Sequence, residues 1–190
     1  MWQWKLYFLY CYMFWQKRLG RLYRISWKER PNRDRLAYTY GETPLEVMKD
    51  ICSIVSIKKD SRFLELGSGV GVFSLYMSLT YDCQTMGVEM IPSFVRSSQK
   101  CSQFLSLNCS FIEGDLWETN WSNWDCIYLT TTTFPVHWLR RLEEKVDEIS
   151  KDAFLIVLTH QIKSQKLRLY QSFIRDFSWG VATVFVYQRI

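Results

Sequence analysis

The residues best suited to chemistry gather in a glycine loop, Glu65-Leu66-Gly67-Ser68-Gly69-Val70-Gly71, followed farther on by acids at Glu89 and Asp115. Glycines let a backbone turn sharply and approach a ligand closely, and a helix opening behind them presents free N–H groups. Alone, such a loop indicates a nucleotide-type ligand and no more. The dinucleotide fingerprint needs glycine at position 72, where Val72 stands, and no Lys-Ser/Thr pair follows to make a phosphate-binding P-loop. Glu89 ends the next strand, where a carboxylate takes both hydroxyls of a ribose. Asp115 ends the strand after that, where an acceptor meets an adenine amino group, and Leu116 beside it packs on the adenine face. Taken singly, each acid reads as a solvated strand end. Three strand-end acids in register (Glu65, Glu89, Asp115) point together to one adenosine-bearing ligand.

The elements that must carry these residues alternate in period. Thr43-Pro44 starts a helix, with Thr43 as its cap and Pro44 at the first helical position, and an apolar stripe runs from Leu45 to about Ile57. Arg62 to Leu66 is a strand leading into the loop, and a helix follows through Phe73, Leu75 and Leu79. Strand and helix then recur: Thr85–Glu89, Pro92–Leu105, Cys109–Ile112, Asp125–Leu129, a helix from Pro135 to about Ser150, and the unbroken apolar strand Ala153–Thr159. Leu169–Phe177 and Val181–Tyr187, joined at Trp179-Gly180, read as a hairpin. The fold expected is therefore α/β. Its sheet is seven-stranded, mostly parallel and Rossmann-like, with helices on both faces and an antiparallel hairpin at the C-terminus. That hairpin is what the class I fold dependent on S-adenosylmethionine (AdoMet) adds to a doubly wound sheet. Residues 36–190 form this expected domain, and 1–35 an aromatic, basic arm.

Tyr40-Gly41-Glu42-Thr43, the glycine loop, Gly87-Val88-Glu89 and Gly114-Asp115 together resemble the disruptor-of-telomeric-silencing family, histone lysine methyltransferases without a SET domain. The resemblance covers roughly residues 38 to 135. It implies that Tyr40, Glu42 and Thr43 close over the methionine end of AdoMet. Glu65, where the family usually has Asp, would hold that same end with Gly67, Ser68, Gly69 and Gly71, while Glu89 binds ribose and Asp115 adenine. The sequence departs from the family after the fourth strand, where N-N-F-A-F is replaced by Thr130-Thr131-Thr132-Thr133-Phe134. Phe134 keeps the last aromatic, and Thr130 supplies a hydroxyl that accepts a hydrogen bond from an amine.

Methyl transfer from a sulfonium needs chiefly an aligned neutral nucleophile. Thr130, Phe134 and Tyr40 are the candidate catalytic residues, with Trp138 a further member of an aromatic channel that desolvates a lysine amine. His137 and His160 read first as structural. The substrate expected is a protein lysine. Alternatives are an RNA or small molecule, or an AdoMet-binding, membrane-docked scaffold without catalysis. The Asn/Asp-Pro-Pro-aromatic tetrad of base-amino methylation is absent after the fourth strand, as is a Pro-Cys nucleophile.

Charge narrows the partners. The net charge is +5, but residues 1–35 alone hold nine Lys/Arg against Glu29 and Asp34, so the rest of the chain is slightly acidic. That arm suits anionic lipid or nucleic acid. Its uncharged run Leu6–Gln16 falls short of the ~20 residues of a membrane span, and Lys17, Arg18, Arg21 and Arg24 follow where a signal peptide would be cleaved. It reads either as a cap packed on the domain or as a helix lying in a membrane interface. Glu29 to Thr39, with Pro31 and Asn32, reads as a linker. Six scattered cysteines without C-x-x-C spacing, and only two histidines, argue against a metal site and for reduced core thiols in a cytoplasmic protein.

Overall fold

A computed structural model describes residues 2–17, 21–31 and 35–190. Two helices come first, α1 (Trp2–Lys17) and α2 (Arg21–Glu29), then a 3-10 turn at Arg35–Tyr38. The body continues as α3 (Leu45–Val55), β1 (Arg62–Leu66), α4 (Val72–Tyr81), β2 (Gln84–Glu89) and α5 (Pro92–Leu105). After it come β3 (Cys109–Glu113), β4 (Cys126–Thr130), α6 (Val136–Lys145), β5 (Phe154–Leu158), β6 (Leu167–Phe177) and β7 (Gly180–Arg189). The seven strands form one sheet in the order β3-β2-β1-β4-β5-β7-β6. β1 to β5 are parallel, and β7 is antiparallel to both β5 and β6. The expected architecture is the one present.

The sheet alternates cleanly between two cores. Phe63, Tyr128, Ile156 and Val184 point to the face covered by α3, α4 and α5. Leu64, Ile127, Leu155 and Val157 point to the other, covered by α6 and by Trp117 and Trp121. Strand order reverses between β1 and β4, and the crevice at their carboxyl ends is where ligands bind open sheets of this type.

Several boundaries differ from expectation for identifiable reasons. Thr43 does not cap α3. Pro44 holds the cap position with no side-chain hydrogen bond, and the Thr43 hydroxyl instead pairs with the buried Tyr128 phenol. The segment read as a linker is partly helical, since α2 continues to Glu29 and the 3-10 turn begins at Arg35; Asn32, like Arg18, lies outside the described residues. The helix after Pro135 stops at Lys145 and tightens into a 3-10 turn at Val146–Glu148. The arm packs on the domain. In α1, Leu9 is buried, Lys5 Nζ donates to the Leu105 carbonyl at 2.6 Å and the Tyr12 hydroxyl lies 3.0 Å from Ser97 Oγ. Glu29, at the end of α2, accepts from Ser93 N (3.0 Å) and Ser93 Oγ (2.5 Å) in the first turn of α5. Four cysteines are buried as expected, but Cys11 is exposed and Cys109 half-buried, and all six are free thiols.

Candidate active site

β1 ends in a loop that its glycines permit. At Gly71, φ is +72° and a Cβ would lie 2.3 Å from the Phe111 ring, so no other residue fits without moving the core. Gly67 N and Ser68 N both donate to the Val88 carbonyl, at 2.9 and 3.0 Å, which ties the loop to β2. Glu89, at the end of β2, completes the tie: its Oε2 accepts from Gly69 N at 2.8 Å and its Oε1 from Ile91 N at 2.9 Å. Burial pushes the Glu89 carboxyl above its ordinary range, and these backbone donors offset part of the effect. A carboxylate has about four lone-pair sites, so these backbone donors leave room for a further donor from a ligand.

The loop opens on a cavity of about 300 Å³. Gly67, Gly69, Glu89, Asp115 and Leu116 line it, and so do Tyr40, Thr130 and Phe134. These eight expected site residues are thus brought together. Tyr40 donates to Glu42 Oε1 at 2.5 Å, and its ring packs edge-on against Phe94 (5.3 Å) and Tyr23 (5.7 Å). Burial, with Glu42 beside it, raises the Tyr40 phenol well above its usual value, so it stays a neutral donor. Asp115 Oδ1 already accepts from Trp117 N at 2.9 Å, bracing the turn after β3.

Five expected residues do not line the cavity: Glu42, Thr43, Glu65, Ser68 and Gly71. Glu65 turns away into the start of α4, where Oε2 accepts from Ser74 N (2.9 Å) and Ser74 Oγ (2.6 Å). Burial raises this carboxyl to about 7 against the two Ser74 bonds, and neighbouring Glu89 adds to the rise. His137 is exposed and off the cavity, while His160 Nδ1 sits 3.0 Å from the Thr131 carbonyl, a structural engagement.

Sequence reasoning missed two features. Trp179, in the β6–β7 turn, lines the cavity and closes over the Tyr40 loop; a Cβ on Gly41 would lie 2.6 Å from its ring. Its indole N–H is buried without a protein partner, as is Ser68 Oγ. Second, Thr132 lines the cavity and its hydroxyl lies 2.7 Å from that of Thr159, a β-branched residue at φ +78°. Left-handed backbone at such a residue is strained, and strain of this kind gathers at functional sites. Neither signal can be read from sequence, because both are long-range contacts at turn positions. Among the described residues no cluster of side chains could hold a metal ion.

A family model described as "Histone methylation protein DOT1" matches residues 33–128, half of the chain. The chain belongs to this family. No curated protein matches it in sequence. Solved structures agree with the DOT1-family chain in fold. An RNA methyltransferase from Salinibacter ruber in complex with S-adenosyl-L-homocysteine has 17% identity and a TM-score of 0.64, covering 78% of this chain and 93% of its own. Magnesium protoporphyrin IX methyltransferase from Synechocystis PCC 6803 with bound SAM has 12% identity and a TM-score of 0.63, covering 93% and 94%. TrmN from Thermus thermophilus has 12% identity and a TM-score of 0.67, with 83% of this chain spanning 52% of that one. The fold is that of an AdoMet-dependent methyltransferase, and S-adenosyl-L-methionine is its cofactor. The residues present suit that cofactor. Two carboxylates stand at successive strand ends, and an unpartnered indole N–H lines the same cavity.

Proposed function

We propose that this chain transfers a methyl group from AdoMet to the side-chain amine of a protein lysine. The observation that carries the reading is that one cavity joins the glycine loop, Glu89 and Asp115 to a wall of Tyr40, Phe134, Trp138 and threonine hydroxyls. Membership of a histone methylation family supports lysine as the acceptor. In this reading Glu89 takes the ribose hydroxyls and Asp115 the adenine amino group, with Leu116 on the ring face. Gly67 and Gly69 line the methionine end, closed by Tyr40 with its hydroxyl held by Glu42. Ser68 and Gly71 shape the loop, Thr43 fixes the Tyr40 segment to Tyr128, and Glu65 anchors the loop to α4.

AdoMet supplies an electrophilic methyl on a sulfonium. The protein's part is to present a neutral amine in line with it. Phe134 and Trp138 exclude water from the lysine and lower its pKa, so the ammonium gives its proton to solvent before transfer. Thr130 and Thr132 accept hydrogen bonds from the amine and aim its lone pair. The methyl would pass to the amine nitrogen as its bond to sulfur breaks, the electron pair of that bond staying on sulfur.

Two measurements test the reading. With labelled AdoMet and a cell lysate, the label should enter protease-sensitive, nuclease-resistant material; label in RNA or a small molecule would overturn the lysine assignment. Glu89→Ala should weaken AdoMet binding about a hundredfold by calorimetry, since hydrogen bonds to a charged group contribute about 1.5–3 kcal/mol each. Unchanged binding would remove Glu89 from the cofactor site.

A further inference from the structure

The layer formed by α1, α2 and α5 is unlike the rest of the surface. These three helices contain seven Lys/Arg and a single acid, Glu29, whose carboxylate is engaged by Ser93. The other eighteen acids of the chain lie elsewhere. Arg21, Arg24, Lys28, Arg96 and Lys100 are exposed on them. So are large rings: Trp4, Tyr7 and Trp27 are 48%, 73% and 62% exposed, and Phe104 is 60% exposed. On α1 the outward positions 4, 7 and 11 follow the helical repeat and carry Trp4, Tyr7 and Cys11, none of them charged. Phe104 extends that apolar strip across to α5, its ring 6.4 Å from Trp4 and 4.5 Å from Phe8.

We infer that this face docks on the surface of an anionic lipid bilayer. Indole and phenol rings, with an apolar body and a polar edge, suit the headgroup boundary, and lysine and arginine beside them meet anionic headgroups. The arrangement favours lipid over nucleic acid because Trp4, Tyr7 and Phe104 form an exposed apolar strip on the outer side of the helices, with the cations flanking it, rather than lining a basic groove that could track phosphates. Among the described residues no helix is long and apolar enough to cross a membrane, so attachment is to the surface.

Co-sedimentation of the full chain with vesicles tests this. Vesicles containing phosphatidylglycerol should retain the protein, vesicles of phosphatidylcholine alone should retain far less, and high salt should release it. Each cation removed should lower partitioning about fivefold and each one reversed about twenty-five-fold, so Arg24→Glu with Lys28→Glu should nearly abolish retention while AdoMet binding persists. Tyr7→Ser tests the apolar strip and should also weaken retention at constant charge. Equal retention on neutral vesicles, retention insensitive to Arg24→Glu with Lys28→Glu, or no retention at all would overturn the inference. Capture of polyuridylate RNA that anionic vesicles fail to displace would overturn it in favour of nucleic acid.

Discussion

Glu65 puts an acid where water does not reach. It is 7% exposed, and its bonds to Ser74 anchor the glycine loop to α4 at the cost of keeping a carboxyl in the core. A group held at about 7 in the folded chain, against an ordinary 4.5, makes stability depend on pH. Below 4.5 it is protonated folded and unfolded, and the shift costs nothing. As pH rises, the unfolded chain ionises first and gains, so folding stability falls until about 7 and then levels off. The loss is about 3 kcal/mol by the conversion of 1.36 kcal/mol per pKa unit. Denaturant unfolding between pH 5 and 8 should show this decline, and Glu65→Gln should flatten it while retaining an acceptor for Ser74. A decline unchanged in the Gln variant would assign it to another group.

At the scale of elements, the β6–β7 turn is as much a part of the cavity as the glycine loop. Trp179→Phe keeps the ring over Gly41 and removes only the N–H. If that N–H meets the cofactor, affinity for AdoMet should fall roughly five- to tenfold, about 1–1.5 kcal/mol for one hydrogen bond. Thermal stability without ligand should hold, because the N–H has no protein partner to lose. Unaltered affinity would leave Trp179 a lid and nothing more. Elements of this kind mark the limit of what the sequence discloses. β1, β4 and β5 are apolar runs buried on both faces, and α5 begins at a proline, so local pattern sufficed to find them. The glycine loop and Glu89 were legible because a strand, a turn and a helix follow one another without interruption. Thr43 was misread as a cap because its partner, Tyr128, arrives from a strand far along the chain. Thr132 with Thr159, and Gly41 with Trp179, escaped for the same reason: each pair exists only after the sheet has assembled.

Over the whole molecule, the N-terminal helices are bound to the domain by a few specific ties, and Glu29 is the clearest of them. Its carboxylate satisfies two donors in the first turn of α5, as a helix cap does, but from a separate segment. Glu29→Ala should therefore cost about 1–2 kcal/mol in urea unfolding and should speed proteolysis within α1 and α2 more than within the sheet. Equal protection of both regions would mean that the layer is held by its apolar packing through Leu9 and Leu22 and by the Lys5 and Tyr12 ties, and not by Glu29. The contact of Trp179 with Gly41 reaches further. It joins the last hairpin of the sheet to a loop that precedes its first strand, and the ligand cavity lies against both. The pocket is closed only when the whole intervening chain has folded. On the proposed placement, AdoMet bound in that pocket would stabilise the complete fold and no partial one, by an amount that grows with the logarithm of its concentration. The level of methyl donor would then govern the fraction of chains in the complete fold as well as the occupancy of the site.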